Sequence, residues 1–192
     1  MAPKLGKDPP GSLRIISGRI RGKRLHLPAD SELRPTSERA RAALFARLEA
    51  WWHQPDGRSR LLGAQVLDAF AGSGALGLEA WSRGAAAVTW FERNLAQARH
   101  LTRTLAAYGT VIHADALRPP AGRLVDLLFL DPPYAEALHY SAVAALGQRG
   151  WLKRETLILC EAPAGQRPEL AGYRLVNHFA IASSDFSFWQ SL

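Results

Sequence analysis

"QVLDAFAGSGALGLEAW", residues 65–81, decides how the rest of the chain is read. It begins as a short apolar strand and ends as a helical segment. Between them stands Gly72-Ser73-Gly74-Ala75-Leu76-Gly77, a G-x-G-x-x-G turn directly after a strand and opening a helix. Glycines there let the backbone approach a ligand and let the helix pack closely on the strand. Outward from this turn the same alternation repeats. "AAVTWFE" (86–92), "TVIHAD" (110–115), "VDLLFLD" (125–131) and "TLILCE" (156–161) read as further strands. Helical segments "NLAQARHLTRTLAAYG" (94–109) and "AEALHYSAVAALGQRG" (135–150) separate them, with Gly84 and Gly109 as stops for the first two helices. "YRLVNHFAIA" (173–182) and "SFWQSL" (187–192) add two strands. Strands separated by helices predict an α/β fold with a mostly parallel, seven-stranded sheet and helices on both faces.

The glycine turn by itself suits a dinucleotide, with Glu92 after the second strand to take a ribose diol. Asp68 argues otherwise. It ends the first strand just ahead of the glycines, where a carboxylate would repel a pyrophosphate. A ligand without phosphate and with a positive centre is not repelled, and S-adenosylmethionine is such a ligand. Glu92 would accept from both ribose hydroxyls, and Asp115 would accept from the adenine amino group. Each acid singly is a fair helix cap; three acids after three successive strands form a constellation at the edge where such sheets bind ligands. Ala69, Phe70, Ser73, Arg93 and Ala116 flank these residues and complete the candidate cofactor set with Gly72 and Gly74.

The fourth strand delivers Asp131-Pro132-Pro133-Tyr134 to the same edge. Two prolines leave the ladder and stiffen the chain, while their carbonyls stay free to accept. A rigid pair of acceptors, Asp131 and the Pro132 carbonyl, can grip an amino group that carries two hydrogens. Tyr134 offers a face on which a flat base stacks, worth roughly 1–3 kcal/mol. The combination fits methyl transfer to an exocyclic amine of guanine, adenine or cytosine, after the base leaves its stack.

The formal net charge is +7. Residues 1–60 hold 13 Lys+Arg against 6 Asp+Glu, and residues 61–192 hold 11 of each, so the excess lies in the first third. "RIISGRIRGKRLHL" (14–27) carries Arg14, Arg19, Arg21, Lys23 and Arg24 with no acid. A block of this kind favours a polyanion through counterion release. The interleaved Ile15, Ile16, Ile20, Leu25 and Leu27 predict a small strand pair turning at Gly18 or Gly22 rather than a tail. "LRPTSERARAALFARLEAW" (33–51) reads as a helix capped by Thr36, with Glu38 in its first turn and Arg34, Arg39 and Arg41 at or near its start. "HQPDGRSR" (53–60) reads as a linker.

No apolar run is long enough to span a bilayer, and the start "MAPKLGKDPPGSL" has no apolar core of a secretory signal, so a cytoplasmic protein without a membrane partner is expected. Cys160, in "TLILCE", reads as a small buried hydrophobe rather than a nucleophile. The six histidines lack metal-ligand spacing, so no metal is expected. Trp51-Trp52 reads as packing between hairpin and core rather than as a base-stacking pair.

The motifs together are recognisable. "RIISGRIRGKRL", "LRPTSERARAALF", "LDAFAGSGALGLEA" and "FLDPPY" resemble the bacterial small-subunit ribosomal RNA guanine-N2 methyltransferases, the RsmD family, over roughly residues 14–161. "RPTSERAR" is the specific part, since "DPPY" also occurs in DNA adenine and cytosine methyltransferases. The resemblance implies a Rossmann-like class I methyltransferase domain over 34–192 with a basic RNA-binding extension over 1–33. It implies S-adenosylmethionine as donor, S-adenosylhomocysteine as product, and a guanine in 16S rRNA, of the position-966 type, as acceptor. That guanine would be met on the assembled or assembling small subunit by a monomeric enzyme. By similarity, Asp131, Pro132, Pro133 and Tyr134 hold the base, and Arg34, Thr36 and Arg39 flank the site. Departing from the family, "SSDFSFWQSL" (183–192) is aromatic without a basic residue and is not read as an RNA contact. Two alternatives stay open on the residues themselves: a DNA or other RNA amino-methyltransferase, and a NAD-dependent oxidoreductase or nucleotide-binding module.

Overall fold

The computed structural model describes residues 12–26, 37–133 and 138–192. Strands β1 (Ser12–Arg14) and β2 (Arg24–His26) pair antiparallel as a separate two-stranded sheet. Helix α1 (Glu38–Trp51) leads to β3 (Gln65–Asp68), α2 (Ala75–Ser82), β4 (Ala87–Glu92), α3 (Leu95–Leu105), β5 (Thr110–His113) and β6 (Val125–Leu130). Helix α4 (His139–Gln148), β7 (Leu152–Pro163), β8 (Tyr173–Ile181) and β9 (Ser184–Ser191) complete the chain. The seven strands of the main sheet lie in the order β5-β4-β3-β6-β7-β9-β8. The first five run parallel, while β9 runs antiparallel to both neighbours. The strand order reverses between β4-β3 and β3-β6, so a crevice opens at the carboxyl ends of β3 and β6.

Alternation of side chains divides the core. Val66, Val88, Trp90, Leu127, Phe129, Leu157, Leu159, Phe186 and Phe188 face α1, α2 and α3. Leu67, Phe91, Leu128, Leu130, Ile158 and Cys160 face α4 and Trp151 on the other side. The central strands β3, β6 and β7 are apolar on both faces, as a sheet covered on both sides requires. Phe45 of α1 meets Phe129 with ring centroids 5.9 Å apart. Trp51 meets Phe188 edge-on at 6.0 Å, so this tryptophan packs on β9, and Trp52 is buried in the same core. Cys160 is fully buried, and burial pushes its thiol up.

The third glycine of the turn has a packing reason. A Cβ on Gly77 would come within 2.3 Å of Trp90 Nε1. That indole nitrogen donates to the Gly74 carbonyl at 3.2 Å. The same tryptophan lies under Gly109, where a Cβ would meet the Val88 carbonyl at 2.2 Å.

Four local expectations need correction. Ser37, not Thr36, caps α1: its hydroxyl accepts from the Ala40 N–H at 3.1 Å. Residues 53–60 are no linker but a closed turn, bridged between His53 and Ser59 and tied by the Asp56–Arg58 ion pair. Helix α3 ends at Leu105, short of Gly109. β9 begins at Ser184, and Ser184 to Trp189 are buried between β7 and β8, so the aromatic end of the chain is sheet core.

The β1–β2 loop is built into the main core. Leu13, Ile15 and Leu25 join the α1-side cluster. Glu79 of α2, fully buried, accepts from the Ile16 N–H at 2.9 Å, the Ser17 N–H at 3.0 Å and Arg83 Nε at 2.8 Å. Ser82 donates to the Ser17 carbonyl at 2.5 Å, and the Arg19 N–H donates to the Ser82 carbonyl at 2.7 Å. Gly18 sits against that carbonyl with φ +85°, where any Cβ would collide at 1.9 Å.

Candidate functional site at the carboxyl edge of the sheet

The turn after β3 is stitched to its neighbours. Ala69 N–H donates to the Phe129 carbonyl of β6 at 3.1 Å, and Ala71 N–H to the Phe91 carbonyl of β4 at 2.9 Å. Gly72 and Gly74 have φ +50° and +74°, the left-handed region that glycine enters without strain. Glu92, half-buried, accepts from the Gly72 N–H at 3.2 Å and the Asn94 N–H at 2.7 Å. Gln97 donates to the Gly72 carbonyl at 2.5 Å. Ala114 N–H donates to the Glu92 carbonyl at 3.2 Å, which brings the ends of β4 and β5 together. Asp115 is half-buried and accepts from the Leu117 N–H at 2.9 Å. Phe70 and Ser73 are half-buried, Ala116 is buried and Arg93 is exposed.

Asp68 differs from its expected posture. It is 1% exposed, and its Oδ2 accepts from the Gly77 N–H at 3.0 Å. Its carboxyl therefore anchors the first turn of α2 from below instead of lining an open face. Burial pushes its pKa up to about 7; the Gly77 hydrogen bond opposes this and the Glu92 charge adds to it. Because the folded value exceeds the unfolded one, ionising Asp68 costs stability as pH rises from about 4 to about 7.

Asp131 and Pro132 follow β6 at the same edge. Asp131 is half-buried, Pro132 buried and Pro133 exposed; Tyr134 lies outside the described residues. The Asp131 carboxyl is held well above the usual range, by burial first and then by the negative charges of Glu161 and Asp68. Asp68, Asp131 and Glu161 thus stand at the ends of three adjacent strands. Glu161 was not singled out from the sequence, although it too is an acid closing an apolar strand. It is buried, takes the Ser184 hydroxyl at 2.7 Å, and its backbone carbonyl meets His139 Nε2 at 2.8 Å. That contact seats the start of α4 beside the site. Burial lowers the His139 pKa.

The basic residues separate into two groups. Arg14 pairs with Glu38 at 2.7 Å. Arg19 donates to the Trp81 and Ala85 carbonyls at 2.6 and 3.0 Å and stacks on the Trp81 ring at 4.2 Å. Both hold the hairpin to the core. Arg21, Lys23, Arg24 and Arg39 are exposed, with Lys23 over the Tyr108 ring at 5.4 Å. Arg34 and Thr36 lie outside the described residues. Among the described residues no group of three or more His, Cys, Asp or Glu could hold a metal ion, and no helix is long and apolar enough to cross a membrane.

A family model described as Conserved hypothetical protein 95 matches residues 13–190. Ribosomal RNA small subunit methyltransferase D of Escherichia coli K12 is 37% identical over 91% of this chain and 94% of its own length. The chain belongs to this methyltransferase D family. Its Haemophilus influenzae member is 35% identical over 79% of each chain. The solved structure of yhhF from Escherichia coli superposes with a TM-score of 0.78 at 33% identity, covering 94% of this chain and 98% of that one. This chain has the α/β Rossmann-like fold of these methyltransferase neighbours, together with its small N-terminal hairpin sheet.

Proposed function

We propose that this chain transfers a methyl group from S-adenosylmethionine to the exocyclic N2 of a guanine in small-subunit ribosomal RNA, the position-966 guanine of 16S rRNA, on the assembled or assembling particle. The observation that carries it is one sheet edge: the glycine turn with Asp68, Glu92 and Asp115, and Asp131-Pro132 on the next strand. The edge fits the donor chemically. Glu92 keeps acceptor capacity beyond its two backbone donors and suits a pair of ribose hydroxyls, Asp115 suits an adenine amine, and the glycines leave room for close backbone approach. When bound, the donor would supply an electrophilic methyl carbon on a cationic sulfur, the methyl–sulfur bond breaking to leave the neutral thioether.

The protein's own part is positioning and charge. The guanine N2 lone pair is delocalised into the ring, so the amine is a weak nucleophile. Accepting both N–H bonds, at the Asp131 carboxylate and the Pro132 carbonyl, favours a pyramidal nitrogen and aims its lone pair. As the nitrogen–carbon bond forms, the nitrogen becomes acidic. Asp131, with a raised proton affinity, is suited to take the released proton. Arg21, Lys23 and Arg24 supply phosphate contacts that position the particle.

Small subunits from cells lacking this protein, incubated with it and tritiated donor, should gain label in 16S rRNA. Preferential labelling of duplex DNA would support a DNA amino-methyltransferase instead, and NAD binding without donor binding would support the dinucleotide reading.

Two expected outcomes follow from the charges. A cation bound near Asp68 favours its ionised form, so donor affinity should rise with pH up to about 7 and then level. Calorimetric titration at three pH values between 5.5 and 8 checks this, and a flat profile would mean the Asp68 charge is not felt by the donor. Neutralising Arg21, Lys23 and Arg24 together should weaken particle binding and flatten the plot of log affinity against log salt by about three. An unchanged slope would make the hairpin a bystander in RNA binding.

A further inference from the structure

We infer that the opposite, amino-terminal edge of the sheet carries a second RNA-backbone contact, centred on Arg154 and Arg174. The inference rests on the RNA substrate proposed above and adds a surface to it. A cavity of about 560 Å³ lies there, between the end of α1, the starts of β7 and β8, and the end of β9. Trp51, His53, Arg60, Arg154, Glu155 and Arg174 line it, with residues 190–192. Three arginine side chains but only one acidic side chain, Glu155, are among the lining residues. Arg154 and Arg174 are exposed and make no ion pair among the described residues, whereas the adjacent Lys153 is neutralised by Asp126 at 2.5 Å. Arg60 is steadied on the rim by its Nε bond to the His53 carbonyl at 3.0 Å.

The positive surface extends beyond the cavity, which selects a polymeric anion over a small one. Arg47 of α1 lies on the Phe179 ring of β8 at 5.2 Å. Arg174 pairs with Gln190 and Phe179 with Phe186, four residues apart on β9. The two therefore face the same side of the sheet, roughly 13 Å apart by strand rise. Arg174 at one end and Arg47, over Phe179, at the other form an extended basic stretch that can reach more than one phosphate of a nucleic-acid backbone.

The test is the double variant Arg154→Ser/Arg174→Ser of the full chain, measured for binding to small-subunit particles over a range of salt. Both residues are exposed and make no ion pair among the described residues, so the fold is unaffected; the thermal midpoint and donor affinity serve as controls. The expected result is about tenfold weaker particle binding, a salt slope flatter by about two, and a raised KM for particles with kcat nearly unchanged. Affinity and slope equal to those of the parent, while the parent binds and methylates particles, would overturn this contact and leave the proposed activity standing. A parent chain that neither binds nor methylates particles would overturn both.

Discussion

Replacing Asp131 by alanine is expected to remove methyl transfer, by about 10²–10³-fold in kcat, while donor affinity stays within about twofold. The carboxylate stands on β6, across β3 from the strand ends that carry Glu92 and Asp115, so its loss leaves the donor side intact. Asp131→Asn separates its two parts. The amide keeps one acceptor oxygen but has no proton affinity to offer, and its NH₂ presents donors where the amine also presents donors. It should therefore approach the alanine variant in rate. Single-turnover transfer under saturating donor distinguishes a chemical loss from weakened particle binding. Near-normal turnover in either variant would remove Asp131 from the mechanism. Glu161→Gln is informative beside them. It removes one of the two negative charges that, after burial, raise the Asp131 proton affinity, while keeping an acceptor for Ser184.

The second large effect is on stability. Glu79→Ala should destabilise the fold by about 3–5 kcal/mol, the scale for breaking a buried ion pair. It removes the acceptor of the half-buried Ile16 and Ser17 N–H groups and leaves Arg83 with Glu49 as its remaining ion-pair partner. For a chain of this length that corresponds to a fall in Tm on the order of 10 °C. Glu79→Gln keeps an acceptor and should lose less. Thermal unfolding of both variants checks the ranking; an alanine variant as stable as the parent would mean the hairpin is not anchored through Glu79. The hairpin loop should become accessible to proteolysis near Gly18 before the rest of the chain unfolds.

The strand and helix order was legible because apolar periodicity switches cleanly at the glycines, and both core faces follow from it. The acids at the ends of β3 to β6 were legible because each closes an apolar run. The same signal stands at Glu161, where "TLILCE" reads equally as a packed apolar strand. Other features could not be read from local pattern. Counting charges does not tell Arg21 from Arg19, whose guanidinium is bonded to the Trp81 and Ala85 carbonyls and lies on the Trp81 ring some 62 residues away. Glu79 looks like any helix-surface acid until the β1–β2 loop arrives from 62 and 63 positions upstream. Asp68 was placed correctly at the strand end, but its inward turn to Gly77 depends on the helix start closing over it.

The central claim is that Asp131 and Pro132 hold a guanine amine in front of a methyl donor at the edge of β3 and β6. Mass-spectrometric mapping of 16S rRNA from particles treated with the enzyme and labelled donor tests it most directly. The account predicts a single N2-methylguanosine, absent when Asp131 is replaced. Label on an adenine or cytosine amine, or on a ring carbon, would contradict it.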